Sequence, residues 1–156
     1  MPKAIDKTTA PVVEGTLYPP PYDEPCRARS RIRLGDAAGL TQFGVNLCRL
    51  PPGAWSSQRH WHTMEDELIY VVEGEVTLVT DDGEEVLRAG DSAGFKAREE
   101  NGHHFQNRSA FDTVILEIGS RFPEDAAHYP DIDLHANRHG YQHKDGTPYP
   151  KRARTS

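Results

Sequence analysis

Two histidines one residue apart, His60 and His62, followed after a short gap by Glu67, are residue types that can hold a small cation. Further along the chain His103 supplies a further imidazole. Neutral imidazoles with one carboxylate suit a borderline divalent ion such as Mn, Fe, Co, Ni or Zn. An octahedral ion held by four protein ligands keeps two positions open to water or substrate. The chemistry expected is Lewis-acid polarisation of a chelating molecule, or O2 chemistry if the ion is iron.

In extended chain, residues two apart share a face. On that rule Gln58, His60 and His62 point one way, Arg59 and Trp61 the other. After the Thr63–Asp66 connection the chain returns, so Glu67 faces the histidine pair. Glu65 and Asp66 are rival carboxylates, and Glu67 is preferred because it directly precedes the returning strand. His103, Phe105 and Asn107 share a face in the same way, and only one of the neighbours His103 and His104 can turn inward. Gln58, Phe105 and Asn107 are the candidate substrate-pocket residues: Gln58 to orient water or ligand, Phe105 as wall. Imidazoles with an ordinary pKa near 6.5 would make metal affinity flat above about pH 7 and steeply falling below roughly 6.

The elements that must position these groups are short apolar runs broken by turn residues: Phe43–Leu50, Glu67–Val72, Val76–Thr80, Glu84–Leu87 and Val114–Ile118. Such runs indicate an all-β sandwich or barrel, with a hairpin turn at Asp82-Gly83. No helix longer than a turn or two is expected. The prolines between Pro2 and Pro25 favour extended chain. The organisation expected is an extended N-terminal arm over 1–39 packing on a barrel over 40–119, with an irregular tail over 120–156.

At 156 residues the chain has the length of one domain. Its net charge of −6 argues against a nucleic-acid partner, the basic runs Arg27–Arg33 and Lys151–Arg154 being read as solvated ends. No apolar run approaches the roughly 20 residues of a membrane helix and Met1–Pro20 lacks a signal-like apolar core, so a cytoplasmic protein is expected. Cys26 and Cys48 are read as reduced thiols. His128, His135, His139 and His143 have irregular spacing and are read as surface or hydrogen-bonding residues, not a second metal site. No phosphate-binding glycine loop or nucleophile dyad is present.

The chain resembles the cupin superfamily, specifically the small single-domain bacterial type, over about Leu40–Gly119. Gly53, His60, His62, Glu67 and Gly74 match its first motif; Gly90-Asp91, Phe95, Ala97, His103 and Asn107 match its second. Lys96 stands where the family has Pro, and Arg98 where it has Gly. The resemblance implies a jelly-roll barrel (double-stranded β-helix) with terminal arms, a homodimer, and one metal on His60, His62, Glu67 and His103. It selects His103 over His104, which should then face outward or into an interface. The function implied is a metal-dependent enzyme on a small oxygenated metabolite, isomerase-like on a sugar phosphate or dioxygenase-like. The alternative is a non-catalytic metabolite sensor. Arg49, Lys96 and Arg98 are candidate phosphate contacts.

Overall fold

The computed structural model describes residues 3–153; Pro2 and Arg154, named above, lie outside the described residues. In chain order the strands are β1 (Val12–Glu14), β2 (Ser30–Arg33), β3 (Phe43–Leu50), β4 (Trp61–His62), β5 (Glu67–Glu73), β6 (Glu75–Thr80) and β7 (Gly83–Arg88). They continue as β8 (Ser92–Phe95), β9 (His104–Gln106), β10 (Thr113–Ser120), β11 (Ala127–Tyr129), β12 (Leu134–Asn137) and β13 (Gly140–Gln142). The single α-helical turn among the described residues is α1 (Leu34–Ala37).

A six-stranded antiparallel sheet runs β1-β2-β3-β10-β5-β8, and a three-stranded sheet β7-β6-β9 faces it. Between them lies the barrel core, with Cys48, Leu50, Ile69, Val71 and Ile115 on one side and Val76, Leu78, Leu87 and Phe105 on the other. Opposed residues of neighbouring strands share a face, so the register gives the inner surface in rows. Arg31, Cys48, Ile115 and Val71 make one row, Asn46, Glu117, Ile69 and Ala93 the next, and Gly44, Gly119, Glu67 and Phe95 a third. The interior therefore grades from an apolar floor to a polar end where two glycines leave room. The motif glycine Gly74 turns the chain from β5 into β6 at φ 79, and a Cβ there would stand 2.9 Å from the Asp112 carbonyl.

Both ends of the chain carry more structure than their composition suggests. The segment over 1–39 contributes β1 and β2 to the main sheet, β2 pairing with β3. The tail forms a third sheet, β13-β12-β11-β4, instead of irregular chain. Its strands have two to four residues each, too short for period-two patterning to stand out. Tyr18 and Cys26 from the N-terminal segment pack with Ala127, Tyr129 and Leu134 of that sheet in a second core. The buried Asp23 receives Arg152 at 3.1 Å, tying the two ends together. Cys26 and Cys48 are buried free thiols.

The outer face of the six-stranded sheet is apolar. Val12, Ile32, Leu47, Leu116 and Tyr70 form one register row across five strands, with Leu68 and Val72 beside it. Val12, Leu68, Tyr70 and Val72 are all more than 40% exposed in the single chain.

Candidate metal centre

Strand alternation alone does not build the site, because in the histidine segment Gln58–His62 only Trp61–His62 is a strand. His60 is held instead by a two-way backbone bridge to His103, N to O 3.2 and 2.9 Å. Glu67 begins β5 opposite Gly119, whose missing side chain leaves the carboxylate space, and beside Phe95, whose ring stacks on His103 at 3.6 Å. The result is convergence of three imidazole Nε2 atoms on one carboxylate. His60 Nε2 lies 3.3 Å from Glu67 Oε1, His62 Nε2 is in short contact with the same oxygen, and His103 Nε2 is 2.7 Å from Oε2.

The far sides of the rings decide which nitrogen is free. His60 Nδ1–H donates to the Gln58 carbonyl at 2.8 Å, and His62 Nδ1–H donates to Asp125 Oδ2 at 2.6 Å. Both acceptors hold a proton on Nδ1, so Nε2 is the nitrogen turned toward Glu67 and the one through which each ring would bind a metal, the arrangement that histidine ligands of metals adopt. His103 Nδ1 is buried without a partner. The donor set of His60, His62, Glu67 and His103 therefore fits one borderline divalent ion, with the ligand atoms of His60, His62 and Glu67 within 4.8 Å of one another.

The electrostatics follow from this crowding. Burial works to push His62 down, but the carboxylates of Glu67 and Asp125 on either side outweigh it and hold its pKa at about 9. Burial also works to raise Glu67, and the hydrogen bonds of His103, His60 and His62 overcome it, leaving the carboxyl well below its usual range. For His103, burial wins over Glu67 and lowers the pKa.

His104 turns away from this set but is neither outward nor exposed. It is 4% exposed, lies edge-on to Trp55, donates Nδ1–H to the Ser57 carbonyl at 2.9 Å and accepts from Gln106 at 3.0 Å. With both nitrogens engaged, and burial lowering its pKa to about 4, it is a neutral structural residue.

Two cavities meet at the ligands. One, of about 160 Å³, is walled by Trp61, Phe95, Lys96 and Asn101, and the other, about 280 Å³, by Arg31, Asn46, Ser57, Glu117 and Arg121; His62, Glu65, Glu67 and His103 line both. Phe105 lines the larger one as wall. Gln58 does not reach either: its amide donates to the Tyr22 carbonyl at 2.8 Å, because the chain before His60 is irregular and the alternation rule fails there. Asn107 is also elsewhere. It follows the end of β9, donating to the carbonyls of Leu50 and Phe111 at 2.7 and 2.8 Å and accepting from Ser109, so it clamps a loop.

Arg49 sits on the outer face against Asp112 at 3.3 Å. Arg98 holds the loop after β8 to the ligand strand, its N–H on the His62 carbonyl at 2.8 Å and its Nε on the Thr63 carbonyl at 3.3 Å. Its φ of 70 explains why the family places Gly there; a side chain in that region costs about 1 kcal/mol. Of the three cations proposed as phosphate contacts, Lys96 alone lines a site cavity.

Three groups at the site go beyond the motif reading. Asp125 comes from the supposed irregular tail. Arg31 makes a two-point pair with Glu117, 2.7 and 2.9 Å, inside the larger cavity; it belongs to the basic run read as solvated, and the inward parity of Glu117 with Ile115 was the available signal. Glu65 is half-buried, accepts from the Phe122 N–H at 2.8 Å, and has its pKa raised by burial.

A cupin-domain family model matches residues 46–119. The crystal structure of a sugar phosphate isomerase of the cupin superfamily from Silicibacter pomeroyi is 41% identical, covers 95% of this chain and 97% of its own, and superposes with a TM-score of 0.88. A structure from Acidithiobacillus ferrooxidans, provisionally named a sugar phosphate isomerase, is 29% identical over 83% of each chain, TM-score 0.72. A polyketide cyclase from Streptomyces resistomycificus, 18% identical over 77% of this chain and 80% of its own, TM-score 0.58, shares the fold. No curated protein sequence gives a match. Given the paired motifs, the facing sheets and the full-length likeness, the chain belongs to the cupin superfamily.

Proposed function

We propose that the chain is a metal-dependent isomerase of a small phosphorylated sugar, with one divalent ion on His60, His62, Glu67 and His103. The observation that carries this reading is the convergence of the Nε2 atoms of three imidazoles on Glu67 where two polar cavities meet. Such an ion supplies Lewis-acid polarisation of two substrate oxygens. The substrate class is supported by the 41% identical neighbour, described as a sugar phosphate isomerase.

The protein's own groups supply the rest. Lys96, at the rim of the smaller cavity, is the anion handle, since no carboxylate pairs with it among the described residues. The guanidinium groups of the larger cavity are already engaged, Arg31 by Glu117 and Arg121 by Asp36 at 2.8 Å. Glu65, raised by burial and lining both cavities, carries the proton between adjacent substrate carbons. The reading keeps the cytoplasmic setting and the homodimer.

The experiment is to load the protein with Mn, Fe, Co, Ni or Zn and follow aldose and ketose phosphates by NMR in D2O. Expected is interconversion with solvent deuterium entering carbon, stopped by chelator and restored by metal. Saturable binding without turnover at every metal would instead favour the sensor, and oxygen uptake by the iron form would favour a dioxygenase.

A further inference from the structure

The tail histidines, irregular in sequence, are sorted by the third sheet. His128 on β11 stands directly opposite His135 on β12, and the same register row continues to Trp61 on β4 and Gln142 on β13. The row lies along a surface cavity of about 550 Å³ that shares only the Trp61 wall with the two that meet at the barrel ligands. His143 is not part of the pair, its Nδ1 being bound to Asp133 at 2.7 Å.

We propose that His128 and His135 form a second site for a borderline divalent transition ion such as Ni2+, Cu2+ or Zn2+, independent of the barrel site. Their ring centroids are 4.7 Å apart, against 4.9 Å for His60 with His62 and 4.8 Å for His60 with His103. The two imidazoles are thus spaced like those already converging in the barrel. Beyond the backbone ladder, neither imidazole makes a hydrogen bond among the described residues, so a nitrogen lone pair on each is uncommitted. Burial, with the neighbouring His135, lowers the His128 pKa and keeps that ring in the neutral form that binds metal. Opposed strand positions bring side chains within reach of one ion, and imidazole suits these metals. Gln142 and water would fill the remaining positions, for which the cavity has room. The Trp61 ring stacks on His128 at 4.4 Å, so it reports occupancy by a quenching ion.

The test is Cu2+ and Ni2+ titration of the full chain, with bound metal counted after dialysis and indole emission recorded. Wild-type protein should hold two ions per chain and His128→Ala/His135→Ala one, with loss of the matching step of Cu2+ quenching. His103→Ala should keep the outer ion. Two ions retained by the double variant, or a single ion in wild type, would overturn the proposal. Should His103→Ala not fold, the difference between wild type and the double variant, which alters half-buried surface positions only, still decides it.

Discussion

His62 and Asp125 are joined across 2.6 Å, Nδ1–H to Oδ2, while the other oxygen of Asp125 accepts the N–H groups of Met64 and Glu65 at 2.8 and 3.1 Å. One carboxylate thus sets both the ring and the turn that leads to Glu67. Asp125→Asn can still accept from the turn but presents an amide N–H to the His62 Nδ1–H. Metal affinity is expected to fall about 10–100-fold, with folding kept. Competition against a chelator of known affinity measures it, and an unchanged affinity would remove Asp125 from the site.

The adjacent imidazoles should separate cleanly. His103→Ala removes a nitrogen aimed at Glu67 and should cost most of the metal affinity. His104→Ala should leave metal content intact yet lower the melting temperature, since a buried ring bonded to Ser57 and Gln106 is lost, at a cost of about 1–3 kcal/mol. Metal loss in the second variant with retention in the first would reverse the register.

These contrasts show what the sequence could carry. The convergence of His60, His62, Glu67 and His103 was legible because residue types that can share one ion stand in a characteristic spacing, whatever strand holds them. Gln58 and Asn107 were misplaced because period-two alternation was extended past the ends of strands: residues before His60 are irregular and Asn107 follows β9. Asp125 had no local signal, since its role depends on the three-residue β11 bringing the tail alongside β4. The pairing of His128 with His135 was hidden for the same reason, by a register across strands too short to pattern.

Glu65 should matter for turnover and not for metal. Glu65→Gln keeps the shape and the acceptor for the Phe122 N–H but cannot take a proton. Turnover should drop by about 100-fold or more while metal content stays at the wild-type level. Because burial raises the Glu65 pKa, the base form is lost as pH falls through a value above that of an ordinary carboxyl. The acidic limb of the rate profile should therefore disappear in the variant. A limb that persists would assign the proton to another group.

The apolar outer face of the six-stranded sheet is proposed to pair with a second copy. Flat sheets pack face to face, and a two-fold contact needs one self-complementary patch. Tyr70 and Leu68 lie on that patch. Leu68→Glu/Tyr70→Glu should convert a dimer to a monomer in sedimentation without disturbing the metal site on the opposite face of β5. A wild-type monomer at micromolar concentration, or a variant that stays dimeric, would exclude this interface.

The pH dependence of metal binding should differ from that of ordinary histidines. In the metal-free protein Glu67 and Asp125 hold the His62 pKa at about 9, so at neutral pH an incoming ion must displace a proton from Nε2. His103, lowered by burial, is already neutral there and releases none. Affinity should therefore rise about tenfold per pH unit from 7 toward 9, then level, instead of being flat above 7. Stability of the metal-free protein should move the opposite way. A folded-state pKa above the unfolded value of about 6.5 contributes stability that is complete below 6.5 and lost as pH rises through about 9. Glu67, whose pKa is depressed, contributes a constant amount across that window and loses it only in acid. Calorimetry in two buffers of different ionisation enthalpy should count about one proton released per ion at pH 7.5, and melting of the metal-free protein should weaken from pH 6.5 to 9. Affinity independent of pH over 7 to 9, with no proton released, would falsify the assignment of His62 as a ligand held between two carboxylates.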